Sequence, residues 1–236
     1  KLMAPQVEEQ LPLRVQLRDD ATFENFYSSD TQEFASQIQL SASGLGEQSI
    51  FVSGPVGSGC SHLLQAACHE AEKKGLNSVY LPLDELVEYS PAIFESLEGL
   101  PLIALDNLQA IVGKPEWEEA LFHLFNRVRD SGGNLLFSAD QSPDQLDIKL
   151  PDLYSRLVWG LVYSIDEPST EFKMLALQFR AKNRGIEMTD DVAKYVVKNV
   201  KGQMDQMFEA LQQLDSASLS AKKKLTRPFV KTVMGW

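Results

Sequence analysis

From about Thr22 onward, short apolar runs alternate with amphipathic stretches. The runs occupy residues 49–54, 78–83, 100–107, 134–140 and 161–165, each bounded by Gly, Pro, Asp or Ser. Their length and composition predict strands buried on both faces. The intervening stretches carry a helical period. Trp117, Ala120, Leu121, Leu124, Phe125 and Val128 share one face, and Gly132-Gly133 ends it. Leu63, Leu64, Ala67 and Ala71 form another, ended by Gly75. Strands alternating with helices predict an α/β fold, a parallel sheet of five strands flanked by helices. After Pro168 the period is helical throughout, over 169–184, 190–200, 203–217 and about 226–235, which predicts a small all-helical lid. Residues 1–21 are polar, with two prolines and no lasting period, and read as a flexible arm. The expected organisation is an arm over 1–21, an α/β domain over 22–167 and a lid over 168–236.

Composition narrows the class. Apolar residues make up 44% of the 236, enough for a sizeable core. The net charge of −11 argues against a general nucleic-acid binder, since neutralising phosphates takes Lys and Arg. No apolar run reaches the ~20 residues of a membrane span, and a cytoplasmic location is expected. Cys60 and Cys68 lie eight apart on one predicted helix, unsuited to a bridge or a zinc site, and read as free thiols.

The strongest motif is Phe51-Val52-Ser53-Gly54-Pro55-Val56-Gly57-Ser58-Gly59-Cys60-Ser61. An apolar run enters a glycine-rich turn that opens a helix. Four residues separate Gly54 from Gly59, and Ser61 follows with one between, the spacing of a phosphate loop. Backbone N–H groups of such a turn and the helix N-terminus wrap a diphosphate. Pro55, Val56, Gly57, Ser58, Gly59, Cys60, Ser61 and His62 are therefore the candidate nucleotide contacts. Cys60 stands where the loop normally carries lysine, so the cradle persists while the cation that stabilises a transferring phosphoryl group is missing. Binding is expected, efficient hydrolysis is not. Cys60 reads either as a thiol activated by the helix terminus or as a neutral space-filler. His62 reads either as part of the nucleotide environment or as a helix surface residue.

A second signal is Leu102-Ile103-Ala104-Leu105-Asp106-Asn107, an apolar strand ending in an acid. Ser61 and Asp106 are the candidate Mg²⁺ ligands. The next position, where a glutamate would activate water, is Asn107, which is no general base.

With these two motifs placed, Thr22-Phe23-Glu24-Asn25-Phe26-Tyr27, the segment 134–140 and Ser155-Arg156-Leu157-Val158-Trp159-Gly160 complete an ordered set. The set resembles the AAA+ P-loop domain of the replication initiator DnaA from about Thr22 to the end. Without an origin-binding helix-turn-helix, the chain is similar to the Hda family, regulatory inactivators of DnaA. That resemblance implies five things. Gln10, Leu11, Pro12, Leu13 and Val15 match a segment that docks on the DNA-loaded β sliding clamp, although Arg14 departs from its pattern. Arg156 matches an arginine finger that acts in trans on ATP-bound DnaA. Phe23, Phe26 and Tyr27 lie near the base of a bound ADP or other nucleoside diphosphate. Self-association occurs among relatives, and contact with DNA is weak or indirect. Asp205 falls at the position of a lid arginine that would contact a γ-phosphate, and an acid there repels one. The implied function is negative regulation of replication initiation by stimulating hydrolysis in DnaA. An autonomous AAA+ ATPase or loader, and a nucleic-acid-binding module, are the competing classes.

Overall fold

Strand β1 (Ser49–Ser53) carries no exposed residue, and neither do β3 (Leu102–Asp106) and β4 (Asn134–Ala139). In the computed structural model, which describes residues 16–27 and 32–236, these three form the centre of the sheet. Strand β2 (Ser78–Pro82) and strand β5 (Leu161–Ser164) form its edges, in the order β2-β3-β4-β1-β5 with all pairs parallel. The expectation of strands buried on both faces holds for the centre and fails at the edges. Strand β5 alternates half-buried and exposed residues, and β2 is half-buried over its first three. An edge strand has one neighbour, so one flank stays in reach of water.

Helix α1 (Gln32–Ala42) and helix α2 (Cys60–Lys73) cover one face of the sheet. Their core joins Ile38, Leu63, Leu64 and Ala67 to Ile50, Val52, Ala104 and Leu136. The short helix α3 (Leu83–Leu86), helix α4 (Pro115–Ser131) and helix α5 (Pro151–Leu157) cover the other. There Trp117, Leu121, Leu124, Phe125 and Val128 meet Phe51, Ile103, Leu135 and Phe137. Phe125 stacks on Phe137 at 6.3 Å and 9°, and Phe137 on Phe51 at 6.3 Å and 26°. Each such fully buried side chain contributes about 1.5–3 kcal/mol. Helix α4 ends where the sequence places its stop, with Gly132 at φ 80°.

From Thr170 the described chain is helical: α6 (Thr170–Asn183), α7 (Asp190–Asn199), α8 (Met204–Ala221) and α9 (Arg227–Met234). They enclose a separate core around Leu177, Val192, Val196, Met207, Leu211 and Val230. Ser169, Thr189 and Thr226 cap α6, α7 and α9 with side-chain oxygens, and the Gln206 side chain accepts from Gln203 N–H at the start of α8.

The described end of the N-terminal segment corrects the reading of a flexible arm up to residue 21. Arg18 N–H donates to Gln65 Oε1 at 2.9 Å, its carbonyl meets His69 Nε2 at 2.9 Å, and Leu17 packs into the α1–α2 core. Ala21 is fully buried. Docking against α2 satisfies the backbone of a segment whose sequence shows no period of its own.

Candidate functional site

A cleft opens at the C-terminal ends of β1, β3 and β4, between the sheet and the lid. It is lined by Gly54 through His62, by Ser138 near the end of β4, by Asn107 and Asp140 just beyond β3 and β4, and by Phe172, Arg180, Met204, Asp205 and Phe208 of the lid. The neighbouring strands β1 and β4 are parallel, but the chain leaves β1 into α2 on one face and β4 toward α5 on the other, and open α/β sheets place their ligands at such a point.

Helix α2 differs from the lid helices at its start. Its N-cap is Gly59 in the left-handed region, φ 102°, and no side chain caps it. The first-turn N–H groups have no intrahelical partner and face the cleft with the positive end of the helix dipole. All three glycines of the loop are sterically required, Gly54 because a Cβ there would stand 2.9 Å from Ile165 O. A Cβ on Gly57 would stand 2.8 Å from Gln203 Cβ, and one on Gly59 2.8 Å from the Phe26 ring. The loop is thereby pressed between the lid and the N-terminal segment. These residues fit a diphosphate: an uncapped helix of 14 residues, a glycine turn and basic side chains at the rim.

The structure brings Pro55, Val56, Gly57, Ser58, Gly59, Cys60, Ser61, His62, Phe26 and Tyr27 together around this cleft. Tyr27 meets Phe172 at 5.2 Å and Phe179 at 5.7 Å, an aromatic wall shared with the lid. Phe23 is a correction: it does not line the cleft but packs into the core beneath α2. Its short helical turn, Phe23–Asn25, directs Asn25 and Phe26 to the cleft and Phe23 away.

Cys60 is buried, its Sγ 3.4 Å from Ser58 Oγ. Burial pushes its thiol up to about 11, against the helix-terminus effect, so the reading of an activated thiol gives way to the space-filler. His62 is not a surface residue. It is buried with Nε2 2.7 Å from Thr22 O and Nδ1 3.3 Å from Arg180 Nη2. Burial, with Arg180 and Arg18 nearby, depresses its pKa to about 4, so it is neutral.

Asp106 does not line the cleft. Its Oδ2 accepts from the Tyr80 hydroxyl, and its Oδ1 from Ser138 Oγ and from Asn107 N–H at 3.1 Å. Asn107 adopts φ 58° and donates its amide to Asp84 at 2.9 Å.

Arg156 lies in the last turn of α5, outside the cleft. Its guanidinium carbon stands 5.9 Å from the Phe122 ring centroid, and its Nε is buried without an acceptor. Glu118, fully buried in α4, accepts from Lys149 N–H at 3.0 Å and Leu150 N–H at 2.8 Å and so fixes the start of α5. Gln10, Leu11, Pro12, Leu13 and Val15 lie outside the described residues.

Sequence reasoning missed Arg18, Asp20 and Arg180. Arg18 Nη1 is 3.5 Å from Asp205 and its Nε 3.3 Å from Asp20. Arg180 Nη1 is 3.0 Å from Asp20, and its guanidinium lies over Phe208. The acid at position 205 is thus paired across the rim of the cleft. No local motif marks these residues. The one available signal was a charged residue, Arg180, in the middle of an apolar helical face.

Comparison with known proteins agrees with this geometry. Residues 17–164 match the bacterial DnaA ATPase domain, and residues 170–234 match the lid domain of Hda. An uncharacterised protein of Haemophilus influenzae is 41% identical over 229 residues, which cover 97% of this chain and 99% of that one. Domain III of the Thermotoga maritima replication initiation protein DnaA superposes with a TM-score of 0.73 at 24% identity, covering 93% of this chain and 98% of that one. AMPPCP-bound DnaA from Aquifex aeolicus gives 0.70 at 26%, covering 83% and 65%. No described helix is long and apolar enough to cross a membrane. The chain belongs to the DnaA-related AAA+ family and, by its lid, to the Hda branch of it.

Proposed function

We propose that this chain regulates replication initiation negatively, as a nucleotide-bound partner that stimulates ATP hydrolysis in DnaA. The observation that carries the reading is the uncapped α2 above a glycine cradle whose lysine position holds a buried, neutral Cys60. Such a site holds phosphates through backbone donors and lacks the groups that drive turnover. Asn107 supplies no base, and Asp205 at the rim disfavours a third phosphate. ADP or another nucleoside diphosphate is the ligand this favours. AMPPCP-bound DnaA from Aquifex aeolicus supports a nucleotide at this place in the fold.

Arg156 then acts on a neighbour. Its position outside the chain's own cleft and its unpaired Nε support a finger that completes the nucleotide site of DnaA. A permanently charged planar group suits the charge developing on a γ-phosphate. Gln10, Leu11, Pro12, Leu13 and Val15 would carry the complex to the β sliding clamp, as an extended segment offering alternate apolar side chains to a groove.

The test is ATP hydrolysis by DnaA in the presence of clamp-loaded DNA, with this protein and its Arg156→Ala variant. The wild type accelerates turnover; the variant loses about 10³-fold or more of that stimulation while clamp binding is retained. Equal stimulation by the variant, or none by the wild type, rejects the regulatory reading.

A further inference from the structure

The Asp106 carboxylate occupies the strand end where AAA+ sites hold their metal, yet it accepts three hydrogen bonds inside the protein, one on Oδ2 and two on Oδ1. Tyr80 comes from the edge strand β2, separated by two strands from the β1 that leads into the phosphate loop, and donates its hydroxyl to Oδ2. Ser138, at the end of β4, donates to Oδ1, which also takes the Asn107 N–H. Parallel register brings the three together: β3 lies between β2 and β4.

Tyr80 is itself held in place. Gln65 Nε2 donates to its oxygen at 3.4 Å, and Gln65 Oε1 accepts from Arg18 N–H at 2.9 Å. A divalent cation ligated directly by Asp106 Oδ2 would compete with this hydroxyl and have to shed a water, and Mg²⁺ dehydrates reluctantly. Among the described residues no set of three or more His, Cys, Asp or Glu is grouped to hold a metal. Positive charge is instead present at the cleft in fixed form. Arg18 and Arg180 both line it, and Arg180, buried to 2% exposure, keeps an Nε with no acceptor.

We propose that this cleft takes its nucleoside diphosphate without a divalent cation, with Tyr80 as the residue that withholds Asp106 from metal. The proposal rests on the nucleotide reading above and adds the ionic form of the ligand: free ADP, not Mg·ADP. The backbone N–H groups of the cradle and the α2 N-terminus face the phosphates with partial positive charge, while Arg18 and Arg180 at the rim are already paired with Asp20 and Asp205.

Binding of fluorescently tagged ADP to the full chain, in excess Mg²⁺ and in EDTA, tests it. Wild-type affinity changes by less than about twofold between the two conditions. Tyr80→Phe frees Oδ2, and Mg²⁺ then tightens binding by about tenfold. Wild-type binding that collapses in EDTA overturns the proposal while leaving the nucleotide reading intact. A Tyr80→Phe protein that folds, by circular dichroism, and stays indifferent to Mg²⁺ overturns the role of Tyr80. Absence of ADP binding in both conditions overturns the nucleotide reading and this proposal with it. Should Tyr80→Phe not fold, Mn²⁺ electron paramagnetic resonance on the ADP-bound wild type decides. Spectra of unbound Mn²⁺ and Mn·ADP are expected, and a protein-bound Mn²⁺ signal rejects the proposal.

Discussion

The Arg180 guanidinium carbon stands 3.8 Å from the centroid of the Phe208 ring, joining α6 to α8 beside the cleft. The same guanidinium pairs with Asp20 at 3.0 Å and approaches His62 Nδ1 at 3.3 Å. One side chain therefore ties the lid to the N-terminal segment and to the helix of the phosphate loop. Replacing Arg180 by Met removes the cation–π contact, leaves Asp20 with Arg18 alone and takes away the neighbour of His62 Nδ1. A loss of about 2–3 kcal/mol is expected, read as a thermal midpoint lower by about 4–12 °C. Arg180→Lys does not recover it, since one ammonium cannot both stack and reach two partners.

Acid should destabilise the protein through His62. The unfolded imidazole gains its proton near 6.5 and the buried one near 4, so between those values the unfolded chain holds more protons. Stability from this residue is fully present above 6.5. It falls as pH drops through the window and levels below about 4, a total of about 3 kcal/mol. Asp20 beside it has its pKa lowered further from 3.8 despite burial, through Arg18 and Arg180, so its own loss falls below the window. Denaturant unfolding at a series of pH values should show the slope, and His62→Gln should remove it. An unchanged slope in the variant assigns it elsewhere.

The glycines of the loop separate binding from stability. Gly59→Ala places a Cβ against the Phe26 ring in a left-handed backbone, and ADP affinity should fall by about tenfold or more. Gly75→Ala is the control. Its φ is also positive, 73°, but a Cβ there meets nothing within 4 Å. It should cost about 1 kcal/mol of stability and leave ADP affinity unchanged.

Neither cysteine should react in the folded protein. Cys60 and Cys68 are free, buried, and pushed up to about 11 and about 12. At pH 8 less than about a thousandth of Cys60 is thiolate. Reaction with a disulfide reagent should follow global unfolding in urea, with both thiols appearing together. Rapid native-state labelling of Cys60 would show that the phosphate loop opens on its own.

Glu118 is a buried carboxylate that holds the chain entering α5. Glu118→Gln keeps its size and gives up charged acceptance of the Lys149 and Leu150 N–H groups, at about 1–3 kcal/mol. Because Arg156 rides on α5, stimulation of DnaA should fall in this variant more than clamp binding does. Equal loss of both would mean general unfolding.

The elements and the cradle were legible in the sequence because each is a local pattern. Strands declared themselves by short apolar runs, helices by period, and the phosphate loop by glycine spacing, with Gly132 and Gly75 stopping the helices as read. The absent lysine at Cys60 and the absent base at Asn107 were equally visible, since a motif fixes where each should stand.

What the sequence by itself determined was therefore an α/β core with the glycine spacing of a phosphate loop, a helical lid, and no lysine or glutamate at the two positions where a hydrolytic site carries them. Only the tertiary structure decided how charge is arranged around that core. Asp20 meets Arg180 across 160 positions and Arg18 meets Asp205 across 187. Tyr80 reaches Asp106 because β2 and β3 lie side by side. His62, polar and one turn into a helix, is buried because the N-terminal segment folds over it. Local patterns report backbone preference and which face is apolar. Long-range pairing depends on the separate docking of segment, sheet and lid, and desolvation follows from it.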